Sequence, residues 1–296
     1  MYAWIILNGR NKNDGVERLN HKIVVDSCCD VTPELSESLG IVTVPLTINL
    51  EDKSFVDDEH LDLPSFMEEM KNCKGKVGSA SPSPMLYKEV FQGSPSSFAV
   101  TISSNLSSSY ASAVLGKSMI EEEDTGAEVH VFDSKSACAG EVLIAVKLAK
   151  LIKEGHQRSK IISTIDHFIH DMKTYFVLDN FDNLLKNGRL NKITGKLISV
   201  LNIKLIMKAD KEGTIGLHAH VRGQKQIVEK LADTIGKSGK DTRGESMVIA
   251  HCNNPGLAEK LKEKIRSRFH FDEILIVPTR GISSVYANEK GIVMAF

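Results

Sequence analysis

The sequence predicts an α/β protein, with a mostly parallel, doubly wound sheet in its first half and a mixed sheet in its second. Three observations carry that prediction. β-branched runs alternate with segments of helical periodicity along nearly the whole chain. Three runs in the first half end in hydroxyl-bearing pairs, Asp26-Ser27, Ser103-Ser104 and Asp133-Ser134. Such endings suit parallel strands whose carboxyl ends share one edge. In the second half, residues 203–207 and 216–221 flank Asp210-Lys211-Glu212-Gly213, a hairpin signal that implies antiparallel pairing. At 296 residues the chain fits two such domains or one large one. The expected division is 22–172 and 173–296.

Residues 1–21 show no periodicity, and Trp4-Ile5-Ile6-Leu7 is too short for a membrane span or a signal core. They are expected to be a loose leader. Folding is expected to begin at Lys22, with a strand over 23–25. Thr32-Pro33-Glu34 then opens a helix with a hydroxyl cap and a proline in the first turn. Residues 41–50 alternate and predict one strand. Residues 62–71 set Leu63, Phe66, Met67 and Met70 on one helical face. Residues 77–84 carry two prolines among serines and predict a stiff loop. A helix over 85–91 follows. The strand over 98–102 runs into a serine-rich turn, 103–109, and then into a helix marked by Ala111, Val114, Leu115, Met119 and Ile120.

A strand over 129–132 ends at Asp133-Ser134. An apolar helix over 140–154 stops at Gly155, and another helix spans 159–171. The second half begins with a strand over 174–178 and a short helix over 181–186. Asn187-Gly188-Arg189-Leu190 interrupts it, and Ile193, Leu197, Ile198, Val200 and Leu201 predict a further apolar helix. After the hairpin come a helix over 224–236, a strand over 247–251 and a helix over 255–269 whose basic residues lie late, as the helix dipole favours. Strands over 274–277 and 291–296 complete the pattern.

The strand, turn and helix around 98–120 form the candidate binding element. A helix N-terminus beyond a strand end offers free N–H groups to a small anion, a carboxylate or a phosphate. Capping needs one hydroxyl, and the turn carries a run of them.

A net charge of −1 gives no bulk attraction to nucleic acid or an anionic membrane. Ordinary apolar and charged fractions, 42% and 25%, suit a soluble chain without stable membrane insertion. The five cysteines are odd in number and form no CxxC pair, which points to reduced thiols in the cytoplasm. No GxxxxGK[ST] or GxSxG motif is present. His167 with His170, and His218 with His220, lack the other ligands of a metal site, so no metal is expected. His251 follows a strand and leaves a serine-dependent hydrolase as one alternative.

Taken in order, Asp26-Ser27, the Ser79-Ala-Ser-Pro-Ser-Pro loop, Ile102-Ser-Ser-Asn-Leu-Ser, Asp133-Ser134, Leu184-Leu-Lys-Asn-Gly-Arg, Lys204-Leu-Ile and Val221-Arg-Gly resemble the DegV proteins from about Lys22 to Phe296. The resemblance implies a two-domain fold that holds a long-chain fatty acid between its halves. It also implies a protein without catalytic residues or cofactor, similar to the fatty-acid-binding subunit of bacterial fatty acid kinase, in which a separate ATP-dependent kinase phosphorylates the bound carboxylate. By the same resemblance Ser79 and Ser104, with Ser103 beside them, hold the carboxylate, and Arg189 and Arg222 meet the partner or the phosphate. Val142, Leu143, Val146, Ile193 and Leu197 are candidates for an acyl tunnel, with plain core as the alternative for each. Two departures stand out. Ser108 replaces a usual glycine, and Ala287 stands near the position of a usual histidine, with Tyr286 as a possible replacement donor. A carrier or sensor with no kinase is the remaining alternative.

Overall fold

The computed structural model describes residues 21–123, 126–190 and 203–296. Residues 1–20 of the expected leader, and the apolar helix expected through Ile193 and Leu197, lie outside the described residues. Strand β1 (His21–Asp26) begins one residue before Lys22, and a turn leads to helix α1 (Pro33–Leu39). Thr32 caps α1 by accepting the Leu35 N–H, and Gly40 ends it in the left-handed conformation. Next come β2 (Ile41–Val44), β3 (Thr47–Leu50), β4 (Lys53–Val56), α2 (Leu63–Asn72), β5 (Val77–Ala80), α3 (Pro84–Phe91) and β6 (Ser96–Thr101). Helix α4 (Ser109–Glu122), β7 (Glu128–Asp133), α5 (Ala139–Lys153) and α6 (Arg158–Asp171) finish the first half. The second half runs β8 (Thr174–Val177), α7 (Asp182–Lys186), β9 (Lys204–Ala209), β10 (Ile215–Val221), α8 (Gly223–Ser238), β11 (Ser246–His251), α9 (Pro255–Arg266), β12 (Glu273–Pro278), α10 (Gly281–Ala287) and β13 (Ile292–Ala295).

The first sheet has the order β2-β1-β6-β7 and is parallel throughout. The second is mixed, β10-β9-β8-β13-β11-β12, with β9 and β10 forming the expected hairpin and only β11 and β12 parallel. A third, antiparallel sheet, β4-β3-β5, lies apart from both. Two expectations fail here for a local reason. The strand expected over 41–50 breaks at Pro45, which has no N–H for a ladder. β2 stays in the parallel sheet while β3 leaves it to nucleate the small one. The stiff loop expected from residue 77 starts as β5, which pairs with β3, and only then meets the prolines. Neither β4 nor α10 shows a pattern: β4 has no buried residue to alternate, and α10 is buried nearly all round.

Side-chain alternation sorts the strands into layers. On β1, Ile23 and Val25 face one core while Val24 faces another. That second core joins the parallel sheet to α3 and α4 through Tyr87, Phe91, Ala113 and Ile120. The mixed sheet packs α8 and α9 on its outer face through Leu231, Ile235, Leu257 and Leu261. Between the two large sheets lies α5, which touches β1 and β6 on one side and β11 and β13 on the other. A helix covered from both sides must be apolar nearly all round, and Val142, Leu143, Ile144, Ala145, Leu148 and Leu151 are all buried. One continuous core therefore runs from Ile23 through α5 to Val248 and Val293.

Leu148 is wholly buried in that central layer. Leu148→Ala is expected to destabilise the fold by about 2–5 kcal/mol, measured as a shift in the urea midpoint at unchanged slope.

Candidate functional site

The strand order of the parallel sheet reverses between β1 and β6, and ligands of open α/β sheets bind outside the carboxyl ends at such a point. Here the chain first places an anion of its own. The Asp26 side chain is wholly buried at the end of β1. Its Oδ1 accepts the Cys28 N–H at 3.1 Å, and its Oδ2 accepts the Ile102 N–H at 3.0 Å and the Ser109 hydroxyl at 2.6 Å. Burial raises its pKa, and these donors work against the rise. One carboxylate thus ties the end of β1, the end of β6 and the start of α4 together.

Beyond these strand ends lies a narrow cavity of about 110 Å³. The first half contributes Leu46, Ile102, Leu106 and Cys138 to its wall, and the second half contributes Phe176, Leu184, Ile215, Ile282 and Val293. Apolar side chains dominate, and the polar groups are few. Ser79, half-buried on β5, and Tyr286, half-buried on α10, share a hydrogen bond of 2.8 Å between their hydroxyls. Arg189 also lines the cavity. Its Nε donates to the Leu106 carbonyl at 3.1 Å and Nη1 donates to the Asn187 carbonyl. Ser107 lines the cavity as well, with its hydroxyl accepting the Ser109 N–H at 3.2 Å.

The expected site residues are placed unequally. Ser79 and Tyr286, although 207 positions apart, meet at the cavity. Ser103 is buried but committed, since its hydroxyl donates to the Gly213 carbonyl at 3.0 Å. Ser104 is exposed and does not line the cavity, and its N–H donates to Asp133 Oδ1 at 3.0 Å. The turn instead offers Ser107. Ser108 is exposed, bonded to the Ser81 hydroxyl at 2.8 Å, and Ala287 lines the cavity beside Tyr286. Arg189, expected to meet the partner or the phosphate, follows the Asn187-Gly188 turn but is half-buried between the buried Leu184 and Leu190. Arg222 lies elsewhere, exposed ahead of α8 in a separate cleft with Lys204, Asn254 and Lys290. Val142 and Leu143 are core residues of α5, and Val146 packs against that core; none of the three lines the cavity.

Several participants were not anticipated from sequence. The tip of the β9–β10 hairpin closes one side of the cavity. Gly213, at φ +77°, approaches so closely that a Cβ would stand 2.3 Å from Ser103 Oγ. The Asn105 side chain donates to the Glu212 carbonyl at 2.6 Å, adding a second bond across the halves. Behind the wall sit four buried carboxyl groups: Asp26, Asp30, Asp57 and Glu141. Burial pushes Glu141 well above the usual carboxylate range, and the nearby Asp26 adds to the rise. The same burial takes Asp30 from 3.8 to about 7, against the opposing Arg280 N–H bond. Burial likewise raises the thiols of Cys28 and Cys138 well above their ordinary value, so these wall residues behave as small apolar groups. The four carboxyl groups come from separate parts of the chain, so no local sequence pattern marks this cluster.

Among the described residues no group of three or more His, Cys, Asp or Glu side chains is arranged to hold a metal ion. None of the described helices is long and apolar enough to cross a membrane. His251 lies outside the cavity lining, and its Nδ1 accepts the Asn254 N–H at 3.3 Å.

A family model described as "Uncharacterised protein, DegV family" matches residues 20–296. A DegV domain-containing protein of Streptococcus pneumoniae is 39% identical over 280 residues, covering 93% of this chain and 98% of the relative. Among solved structures, a DegV-family protein of Ruminococcus gnavus, refined with vaccenic acid, superposes with a TM-score of 0.89 at 37% identity, covering 94% of this chain and all of that one. The Streptococcus pneumoniae Fatty Acid Kinase (Fak) B3 protein, loaded with linoleic acid, gives 0.86 at 38% identity over 93% of this chain and 98% of its own. A DegV family protein of Eubacterium eligens, loaded with heptadecanoic acid, gives 0.86 at 28% identity over the same shares.

The raised Asp30 group has a direct consequence for stability. Between its ordinary value of 3.8 and about 7, the folded chain holds a proton that the unfolded chain has released. Its contribution is therefore fully present at lower pH and is lost as pH rises towards about 7, with a slope of at most about 1.4 kcal/mol per pH unit. Asp30→Asn is expected to remove this part. Urea denaturation of both proteins from about pH 4 to about pH 8 should show the wild type losing stability relative to the variant across that window. A constant difference would contradict the assignment.

Proposed function

The chain belongs to the DegV family, and on that basis we propose that it binds a long-chain fatty acid in the cavity, with the carboxylate held by Ser79, Tyr286, Arg189 and Ser107. The supporting observation is the pairing of Ser79 with Tyr286 at a cavity whose wall is mostly apolar. Each hydroxyl can rotate from its partner and donate to a carboxylate oxygen, and bonds to a charged acceptor are stronger than the neutral one they replace. The permanently charged Arg189 compensates the ligand's charge, which would be costly to bury alone. The tail follows the apolar wall, each buried methylene contributing about 0.8 kcal/mol. Tyr286 takes the donor role that Ala287 has no side-chain group to fill. Ser107 takes the place expected for Ser104, since Ser103 already serves the hairpin.

The finer reading is that the protein presents the carboxylate to a separate ATP-dependent kinase for acyl-phosphate formation, in the cytoplasm. Support comes from the likeness to the Fak B3 protein. Exposed Arg222, which does not line the cavity, is the proposed contact for an acidic partner surface. A carrier or sensor without a kinase uses the same cavity and differs only in that second step. No observation favours the hydrolase, because His251 and the cavity serines are not brought together.

Mass spectrometry of an organic extract from the purified protein is expected to reveal a fatty acid in near-stoichiometric amount. Ser79→Ala and Tyr286→Phe should each cost about 1.5–3 kcal/mol of binding, roughly 10- to 100-fold in Kd. A clean extract together with no uptake of added lipid would sink the reading. For the kinase step, Arg222→Ala is expected to leave lipid binding within about twofold of wild type while lowering ATP-dependent acyl-phosphate formation by a cognate kinase. Equal losses in the two assays would show that Arg222 acts on the lipid.

A further inference from the structure

We infer that Asp57 is a positioning residue of the binding site: its buried carboxylate fixes α10 against the three-stranded sheet and so sets the Tyr286 hydroxyl at Ser79. The inference rests on the reading of Ser79 and Tyr286 as donors to the ligand carboxylate.

Asp57 directly follows β4 and is wholly buried. Its N–H donates to the Leu46 carbonyl at 2.9 Å, which fastens its backbone beside the same small sheet. Its carboxylate accepts the Gly281 N–H at 3.0 Å and the Ile282 N–H at 2.9 Å. These are the first N–H groups of α10, which no intrahelical carbonyl can satisfy. A carboxylate there forms charge-assisted bonds and meets the positive end of the helix. The approach is tight, since a Cβ on Gly281 would stand 2.4 Å from Asp57 Oδ1 and 2.6 Å from Leu61 Cδ2. The Arg280 N–H donates to Asp30 Oδ1 at 2.7 Å and its guanidinium donates to the Asp58 carbonyl at 2.9 Å, so the segment entering α10 is held as well.

The same two rigid pieces meet again at the cavity. β4 and β5 both pair with β3, and Ser79 on β5 stands opposite Ile48. The small sheet therefore carries both Asp57 and Ser79. Helix α10 carries both the N–H groups that Asp57 holds and Tyr286, about 7.5 Å further along its axis at 1.5 Å per residue. Fixing one junction fixes the other. The Ser79–Tyr286 distance of 2.8 Å is then a consequence of the Asp57 contact, and a shift of about 1 Å would break it.

A double-mutant cycle tests this, with oleic acid titrated calorimetrically into delipidated full-length protein. Asp57→Asn keeps the shape but removes the charge and one acceptor. It is expected to weaken binding by about tenfold, as is Tyr286→Phe. The double variant should bind within about twofold of Tyr286→Phe alone, because Asp57 acts through Tyr286. Losses that multiply in the double variant, or wild-type binding by Asp57→Asn, would overturn the inference while leaving the clamp intact. Wild-type binding by Tyr286→Phe, or no binding of oleic acid by the wild type, would overturn the clamp and the inference with it. Should Asp57→Asn fail to fold, Asp57→Glu replaces it in the cycle with the same expectations, since it keeps the charge but moves the carboxylate by one methylene.

Discussion

The Asp26 carboxylate is the contact on which the arrangement around the cavity depends. At the carboxyl edge of a parallel sheet the ladder stops, and the next N–H groups need other partners. Asp26 supplies them for Cys28 and Ile102 and takes the Ser109 hydroxyl besides. The turn between β6 and α4 is thereby held open in one shape. The anion position at the switch point is filled from within, so a ligand is offered what remains at the rim, namely Ser107 and the groups brought by β5, α7 and α10. Burial raises the pKa of Asp26, Asp30 and Glu141, and at Glu141 the nearby Asp26 and Asp30 add to the rise. A raised pKa lowers the charge that must be kept in the dry interior, and the donors around Asp26 work the other way.

The cavity belongs to neither half alone. Its wall takes residues from both, and the two halves share the α5 core. Polar ties cross the same seam in both directions. Ser103 to Gly213, Asn105 to Glu212, and Asp57 to Gly281 with Ile282 end on backbone in the second half. Arg189 to Leu106 and Arg280 to Asp58 run from second-half side chains to first-half carbonyls.

Much of this was legible in the chain. Long periodic helices and β-branched strands announced themselves, because burial on one face leaves a period that the eye can follow. The Asp-Ser and Ser-Ser endings marked the right edge of the right sheet. What failed was short or non-local. Pro45 splits an apparently continuous strand, β4 has no buried face, and α10 is buried nearly all round, so neither shows a period. Ser104 looked equivalent to its neighbours in sequence, yet only the hairpin tip decides which serine faces inward, and that tip lies more than a hundred residues away. Asn187-Gly188 suggests an exposed turn at Arg189, while the leucines beside it, both buried, carry the opposite signal.

The place of β13 in the mixed sheet has a consequence for how the chain is made. β13 pairs with β8 on one side and β11 on the other, yet it is synthesised after both. Without it, β10-β9-β8 and β11-β12 share no strand pairing, and each leaves an edge unpaired. Tyr175, Phe176 and Val177 stand on one such edge, with Val248, Ile249 and Ala250 on the other. Unpaired edges of that kind invite pairing with another nascent chain. The mixed sheet is therefore continuous only once β13 is in place between β8 and β11.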